Sequence, residues 1–256
     1  MPAARTLSIS RSGLAATLLV FAVAAGCVRL GFWQLDRLAA RRQRNEQVAQ
    51  RLALPPIELN ALPRDSAGWL YRRVTVRGHY DPVRTIILPA RYLGGIPGVH
   101  VVTPLRLEPG PAVLVNRGWL PAADGINVDP ATFREAEPVE LEGLLLPFFG
   151  PESSLGRRSG DAGARTSRGA HARDGFRRVW FTMDETALRA QFPYPLGRVH
   201  ILALPAGDRG TGPRRLDPPS LSQGPHLSYA IQWFSFAAIA LGGWIALVRK
   251  AGRRGH

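Results

Sequence analysis

The stretch His226-Leu-Ser-Tyr229-Ala-Ile-Gln232-Trp233 opens an apolar run that continues to Val248 without one charged residue. A helix needs about 20 apolar residues to cross the ~30 Å hydrocarbon core of a bilayer, so residues 226–248 read as a transmembrane helix. His226, Tyr229, Gln232 and Trp233 crowd its first two turns. Polar side chains in a span are costly, and finding them there marks a candidate functional site. Pro225 suits the first helical position, where its missing N–H is no loss. The tail that follows, residues 249–256, is basic through Arg249, Lys250, Arg253 and Arg254.

A second apolar run covers residues 13–35, interrupted by Arg29. A long arginine can snorkel to the nearer surface, and Trp33 suits the interfacial belt. The competing reading is a cleaved signal peptide with Arg5 and Arg11 as its basic start, and Ala24-Ala25-Gly26-Cys27 even resembles a lipoprotein cleavage box. The tryptophan-ended continuation past Cys27 favours a retained anchor. Both short flanks are basic, whereas long connecting segments cross largely regardless of charge. Both termini are therefore expected in the cytoplasm, with the middle of the chain in a periplasm-like space. The short leader before the first span favours a bacterial inner membrane.

Between the spans, residues 38–52 continue as a charged helix that Pro55-Pro56 ends. Short β-like runs follow at 71–80, 85–92, 99–107, 112–120, 139–146 and 199–204, bounded by Gly or Pro. Residues 184–191 read as one short helix capped by Asp184. Residues 156–175 hold Gly, Ser, Ala and arginines with almost no large apolar side chain, and read as a disordered loop with electrostatic docking to an acidic partner as its functional alternative. The expected fold class is membrane α+β. Two transmembrane helices in a hairpin, 13–35 and 226–248, flank a mostly antiparallel, β-rich extramembrane domain over residues 38–224.

The chain is strongly basic, with 33 Lys+Arg against 19 Asp+Glu, and Lys250 is its one lysine. That balance invites a nucleic-acid reading. The spans argue against it, because much of the arginine flanks them or lies in the loop. Cys27 is the one cysteine, so no intrachain disulfide and no Cys/His zinc spacing exists. Gly-x-Ser-x-Gly, HExxH and Walker-type signatures are absent, which disfavours a tethered hydrolase.

On a helical wheel, His226, Tyr229, Ala230, Trp233, Ala237 and Trp244 share one face, and Trp33, Arg37 and Arg41 share another. The alanines leave room for a flat ring or for a close neighbouring helix. A single interfacial histidine can equally be a hydrogen-bonding anchor, and Trp or Tyr at a span's end can be a belt residue.

Several stretches, in this order, carry a resemblance: Leu30-Gly-Phe-Trp33-Gln34-Leu-Asp-Arg37, Tyr71-Arg-Arg-Val, Gly78-His-Tyr-Asp81, Val102-Thr-Pro-Leu, Leu114-Val-Asn116-Arg117-Gly118-Trp119 and the opening His226–Trp233 stretch. Together they resemble the SURF1 family of cytochrome c oxidase assembly factors, in a bacterial member. The resemblance implies no enzyme. It implies instead a helper in maturation of oxidase subunit I, associated in bacterial members with binding haem a and passing it on. The family's implicated histidine in the second span matches His226.

Haem a has an apolar macrocycle, a farnesyl tail suited to lipid and propionates suited to water, so its carrier should offer an imidazole and cations at the membrane boundary. His226 is then the expected ligand of the haem iron. Tyr229 and Trp233 are expected as walls, with Trp33 and Gln34 beside them. Arg37 is the first propionate partner and Arg41 the second. Haem a would be bound transiently. Oxidase subunit I, haem a synthase and the lipid bilayer are the expected partners, and nucleic acid is not. The alternative is a cofactor-free scaffold that binds oxidase subunits.

Overall fold

The computed structural model describes residues 11–59, 67–107, 110–128, 137–148, 175–181, 185–205 and 212–254. Most of the loop expected at 156–175, and the expected cap Asp184, lie outside those residues. The chain divides into two compact units, Met1–Gln47 with Leu221–His256, and Val48–Ser220.

The first unit is a helical hairpin. Helix α1 runs from Arg11 to Ala53 without a break. At 1.5 Å per residue its 43 residues span about 65 Å, well beyond a bilayer core. The sequence suggested an apolar span and then a charged helix; nothing near Leu35-Asp36-Arg37 is a helix breaker, so the two are one element. The last helix of the chain (α3 below) covers His226–Arg254. Both are long and apolar enough to cross a membrane.

On α1 the less exposed positions recur as Val20, Ala24, Cys27, Gly31, Gln34, Leu38, Arg41 and Asn45, and on the last helix as His226, Ala230, Trp233, Ala237 and Leu241. Alternating steps of three and four make a seam of period 3.5. Ala24 and Cys27 pack on Ala237, Trp233 and Leu241, whereas Gly31 meets Phe234 and Gln34 meets His226. The helices are therefore antiparallel. Small residues let their backbones approach closely: a Cβ on Gly31 would come within 2.5 Å of the Phe234 ring. The outward faces stay apolar, with Leu19 65% and Ile239 70% exposed. A lipid-facing surface has that character, and a soluble one rarely does.

Among the described residues the second unit holds seven strands: β1 (Ile57–Glu58), β2 (Arg73–Tyr80), β3 (Ile86–Leu93), β4 (Ile96–Arg106), β5 (Ala112–Pro121), β6 (Val139–Pro147) and β7 (Leu196–Ala203). The short helix α2 covers Glu185–Ala190, and the last helix is α3. Each long strand lies within a few residues of its sequence expectation. The order is β1-β2-β6-β7-β5-β4-β3, and a further antiparallel pairing, His79 with Arg106 and Tyr80 with Leu105, joins β2 to β4. That pairing closes β2, β6, β7, β5 and β4 into a barrel. Among the described strands, only β1–β2 and β5–β7 pair in parallel.

Both faces of this sheet are covered. Val113 and Val115 of β5 belong to one cluster with Val74, Val76, Leu105, Leu141, Leu145 and Ile201. Ala112 and Leu114, pointing the other way, join Phe176, Trp180, Leu188 and Phe192 from α2 and its neighbours. Alternation is therefore lost in β5, which is buried from Ala112 to Trp119. Opposite Val101 and Val102, β5 carries a bulge between Asn116 and Gly118, so Arg117 is the extra residue. Gly118 has φ 128°, and a Cβ there would lie 2.2 Å from the Arg214 carbonyl oxygen. Glycine is required at that position by both conformation and space.

Candidate functional site

The polar end of the helical hairpin gathers the groups that can do chemistry. The turn leading into α3 is held by α1. Arg41 donates its Nε–H to the Ser222 carbonyl at 2.7 Å, and Asn45 donates to the Leu221 carbonyl at 2.9 Å. Arg42 donates to Gln223 Oε1 at 3.1 Å. Gly224, at φ 69°, then turns the chain into Pro225 and His226. Inside the helix, Tyr229 N–H donates to the Pro225 carbonyl, so Pro225 already takes part in α-helical bonding.

His226 Nδ1 lies 2.9 Å from Gln34 Oε1. With the carboxamide assigned oxygen-first, Nδ1–H donates and Nε2 of the neutral ring keeps its lone pair. A ring nitrogen fixed this way on one side presents the other as a ligand, the arrangement second-shell partners give to metal-binding histidines. The imidazole edge lies against Gly224: a Cβ built there would be 3.4 Å from His226 Cδ2, 3.6 Å from Nε2 and 3.8 Å from Arg41 Nη1. Gly224 is thus flanked by an imidazole nitrogen and a guanidinium.

The other sequence candidates are placed variously. Trp33 and Arg37 form a pair on α1, with the guanidinium 5.3 Å from the indole centroid, and Trp33 is 46% exposed. Among the described residues, neither is hydrogen-bonded to His226. Trp233 packs against Ala24, Cys27 and Ala237 in the seam and meets Phe236 edge-on at 5.9 Å. Tyr229 is 48% exposed on α3, beside the seam rather than in it. Gln34 touches the histidine directly. Arg42, Asn45 and Gly224 were missed. Their signal was available for Asn45, since the 3.5 period that runs through Gln34 and Leu38 continues to Arg41 and Asn45 with polar residues.

The barrel has histidines of a different kind. His200 is fully buried, its Nδ1 2.8 Å from the Pro147 carbonyl, and burial holds its pKa down at about 4. His100 lies 3.4 Å from Asn116 Nδ2; burial, with the Arg91 charge second, lowers its pKa to about 3. Among the described residues no three His, Cys, Asp or Glu converge on a bare-metal site.

The comparisons with known proteins bear on the whole chain. Residues 21–238 match the model of the SURF1 family. An uncharacterized SURF1-like protein of Mycobacterium tuberculosis is 30% identical over 234 residues, covering 89% of this chain and 80% of the relative. A SURF1-like protein of Monosiga brevicollis is 27% identical over 88% of this chain and 84% of its own length. Surfeit locus protein 1 of Mus musculus is 32% identical over 146 residues, half of this chain and 46% of the mouse protein. With a family match spanning most of the first helix, the barrel and the opening turns of the last helix, the chain belongs to the SURF1 family.

Proposed function

We propose that this chain is a bacterial inner-membrane assembly factor for haem-copper cytochrome c oxidase, and that it holds haem a on its way into subunit I. Family membership implies the coarser part, an assembly factor with a role in cytochrome c oxidase assembly. The finer part rests on the pairing of His226 with Gln34.

The residues present fit the group. A lone imidazole with a free Nε2 would suit a haem iron, which its porphyrin already holds. Bound there, haem a would supply the redox centre that the oxidase needs, and this chain would contribute only its holding. His226 would ligate the iron and Gln34 would keep its ring in one tautomer. Arg41, which flanks Gly224 as Nε2 does, and Arg37, held against Trp33, are the cations for the propionates. Arg41 shares a neighbour with Nε2, so it takes precedence over Arg37. Trp33 and Tyr229, both half-exposed, are free to wall a macrocycle, whereas Trp233 serves the helix seam first. The apolar outer faces of both helices suit the farnesyl chain and the bilayer.

In this reading both termini face the cytoplasm, α1 and α3 cross the membrane, and the barrel works in the periplasm. Subunit I is the recipient and haem a synthase the supplier. The test is purification from cells that make haem a. Wild type should carry a Soret band whose pigment is haem a, and His226→Ala, with unchanged circular dichroism, should be colourless. Equal pigment in the two proteins would refute the ligand assignment.

A further inference from the structure

The motif Gly78-His79-Tyr80-Asp81 leads away from the haem reading to a surface of the barrel unit. Asp81 accepts a hydrogen bond from the Tyr194 hydroxyl at 2.8 Å and pairs with Arg84 at 3.6 Å. Burial, and then that hydrogen bond to Asp81, push the Tyr194 phenol up, so it stays a donor. Tyr194 stacks near Phe192 at 5.7 Å, and Phe192 meets Phe176 edge-on at 5.5 Å. Three guanidinium groups lie on this aromatic row. Arg106 is 5.5 Å from the Tyr194 centroid, while Arg84 and Arg178 are 5.6 and 5.9 Å from that of Phe176.

Of the three arginines only Arg84 is ion-paired among the described residues. Arg106 and Arg178 have their planes propped against rings, with no carboxylate of the described chain to neutralise them. Arg106 is exposed, and beside Arg84 the side chain of Val83 is 59% exposed. Guanidinium groups fixed on aromatic faces keep their forked N–H donors pointing outward and lose little further freedom on binding. Such forks fit carboxylates in pairs of parallel hydrogen bonds.

We propose that the face formed by Arg84, Arg106, Arg178 and Tyr194, backed by the buried Phe176, docks an extended acidic segment of a partner protein. Its Asp or Glu side chains would meet Arg106 and Arg178, and an apolar neighbour would lie over Val83. Two features favour a protein segment over a lipid headgroup: the cations lie beside the half-buried Tyr194 and the exposed Val83, and they are guanidinium forks held against rings rather than flexible ammonium groups. The placement is independent of His226, so the haem reading can fail without touching it.

The test uses the full chain in nanodiscs of neutral lipid and a fluorescent twelve-residue peptide rich in Glu and Asp. Arg106→Glu with Arg178→Glu should weaken peptide binding at least tenfold. Arg249→Glu with Arg253→Glu changes net charge equally and should change binding less than twofold. Arg106→Gln with Arg178→Gln, gentler to the fold, should lose about threefold. Absence of binding in wild type, or equal loss in the patch and tail reversals, would overturn the proposal. So would anionic phosphatidylserine vesicles that bind through Arg106 and Arg178 without being displaced by the peptide.

Discussion

The barrel and the helical hairpin treat a histidine in opposite ways. In the barrel, His200 is sealed among apolar strands and bonded to a backbone carbonyl, and burial forces it neutral. In the hairpin, His226 is only partly buried, and a side chain 192 residues away in sequence fixes its Nδ1. One imidazole is spent on the fold; the other is oriented with a nitrogen to spare. Strong pKa perturbation often marks a functional site. Here it marks the structural histidines, and it is orientation by Gln34 that marks the candidate ligand.

The difference is easiest to break through the glycines. Gly118→Ala in the barrel drives a Cβ against backbone, at 2.2 Å from the Arg214 carbonyl oxygen, and forces alanine to a φ of 128°. It should cost about 4 kcal/mol or prevent folding, as read by thermal unfolding.

The next effect is pH dependence. The unfolded chain protonates His200 near 6.5, whereas the folded barrel does so only near 4. Between those values the unfolded state binds more protons, so stability is full above about pH 6.5 and falls as pH drops, by about 1.4 kcal/mol per pH unit. Below about pH 4 both states are protonated and this contribution stops changing. His100, lowered to about 3, adds a loss of the same sign that extends lower. His200→Asn, which keeps a donor for the Pro147 carbonyl, should flatten the slope of denaturant midpoints against pH.

In the hairpin, Gln34→Leu should leave the fold intact but weaken haem retention about tenfold, the lower end of what losing a second-shell partner costs. Dilution-driven loss of the Soret band would measure it, and retention equal to wild type would demote Gln34 to packing. Gly31→Ala is the mildest. Its Cβ meets the Phe234 ring, which can rotate away, so the cost should be about 1 kcal/mol in detergent unfolding of the hairpin.

The same two regions differ in how far the sequence exposed them. Gly and Pro punctuation located the barrel strands, even β5, where burial on both faces erases the alternating pattern. Closure of the ring was hidden. It depends on two residue pairs, His79 with Arg106 and Tyr80 with Leu105, that no local pattern announces. The two-residue β1 is too short to leave a signal. In the hairpin, composition gave the spans, and the helical wheel gave the seam residues Ala230 and Ala237. The wheel also grouped Trp33, Arg37 and Arg41. Trp33 and Arg37 do pair, whereas Arg41 turns away to the Ser222 carbonyl. For Gln34, sequence gives only a position on a helix, and the register of two antiparallel helices brings it to Nδ1 of His226.

The most direct test follows the imidazole nitrogens themselves, in protein labelled with ¹⁵N-histidine, before and after addition of haem a. His226 should start with Nδ1 protonated and Nε2 bare. On loading, its signals alone should be shifted or broadened beyond detection, while those of His200 and His100 stay in place. Binding of haem a with His226 signals unchanged would contradict the ligand assignment.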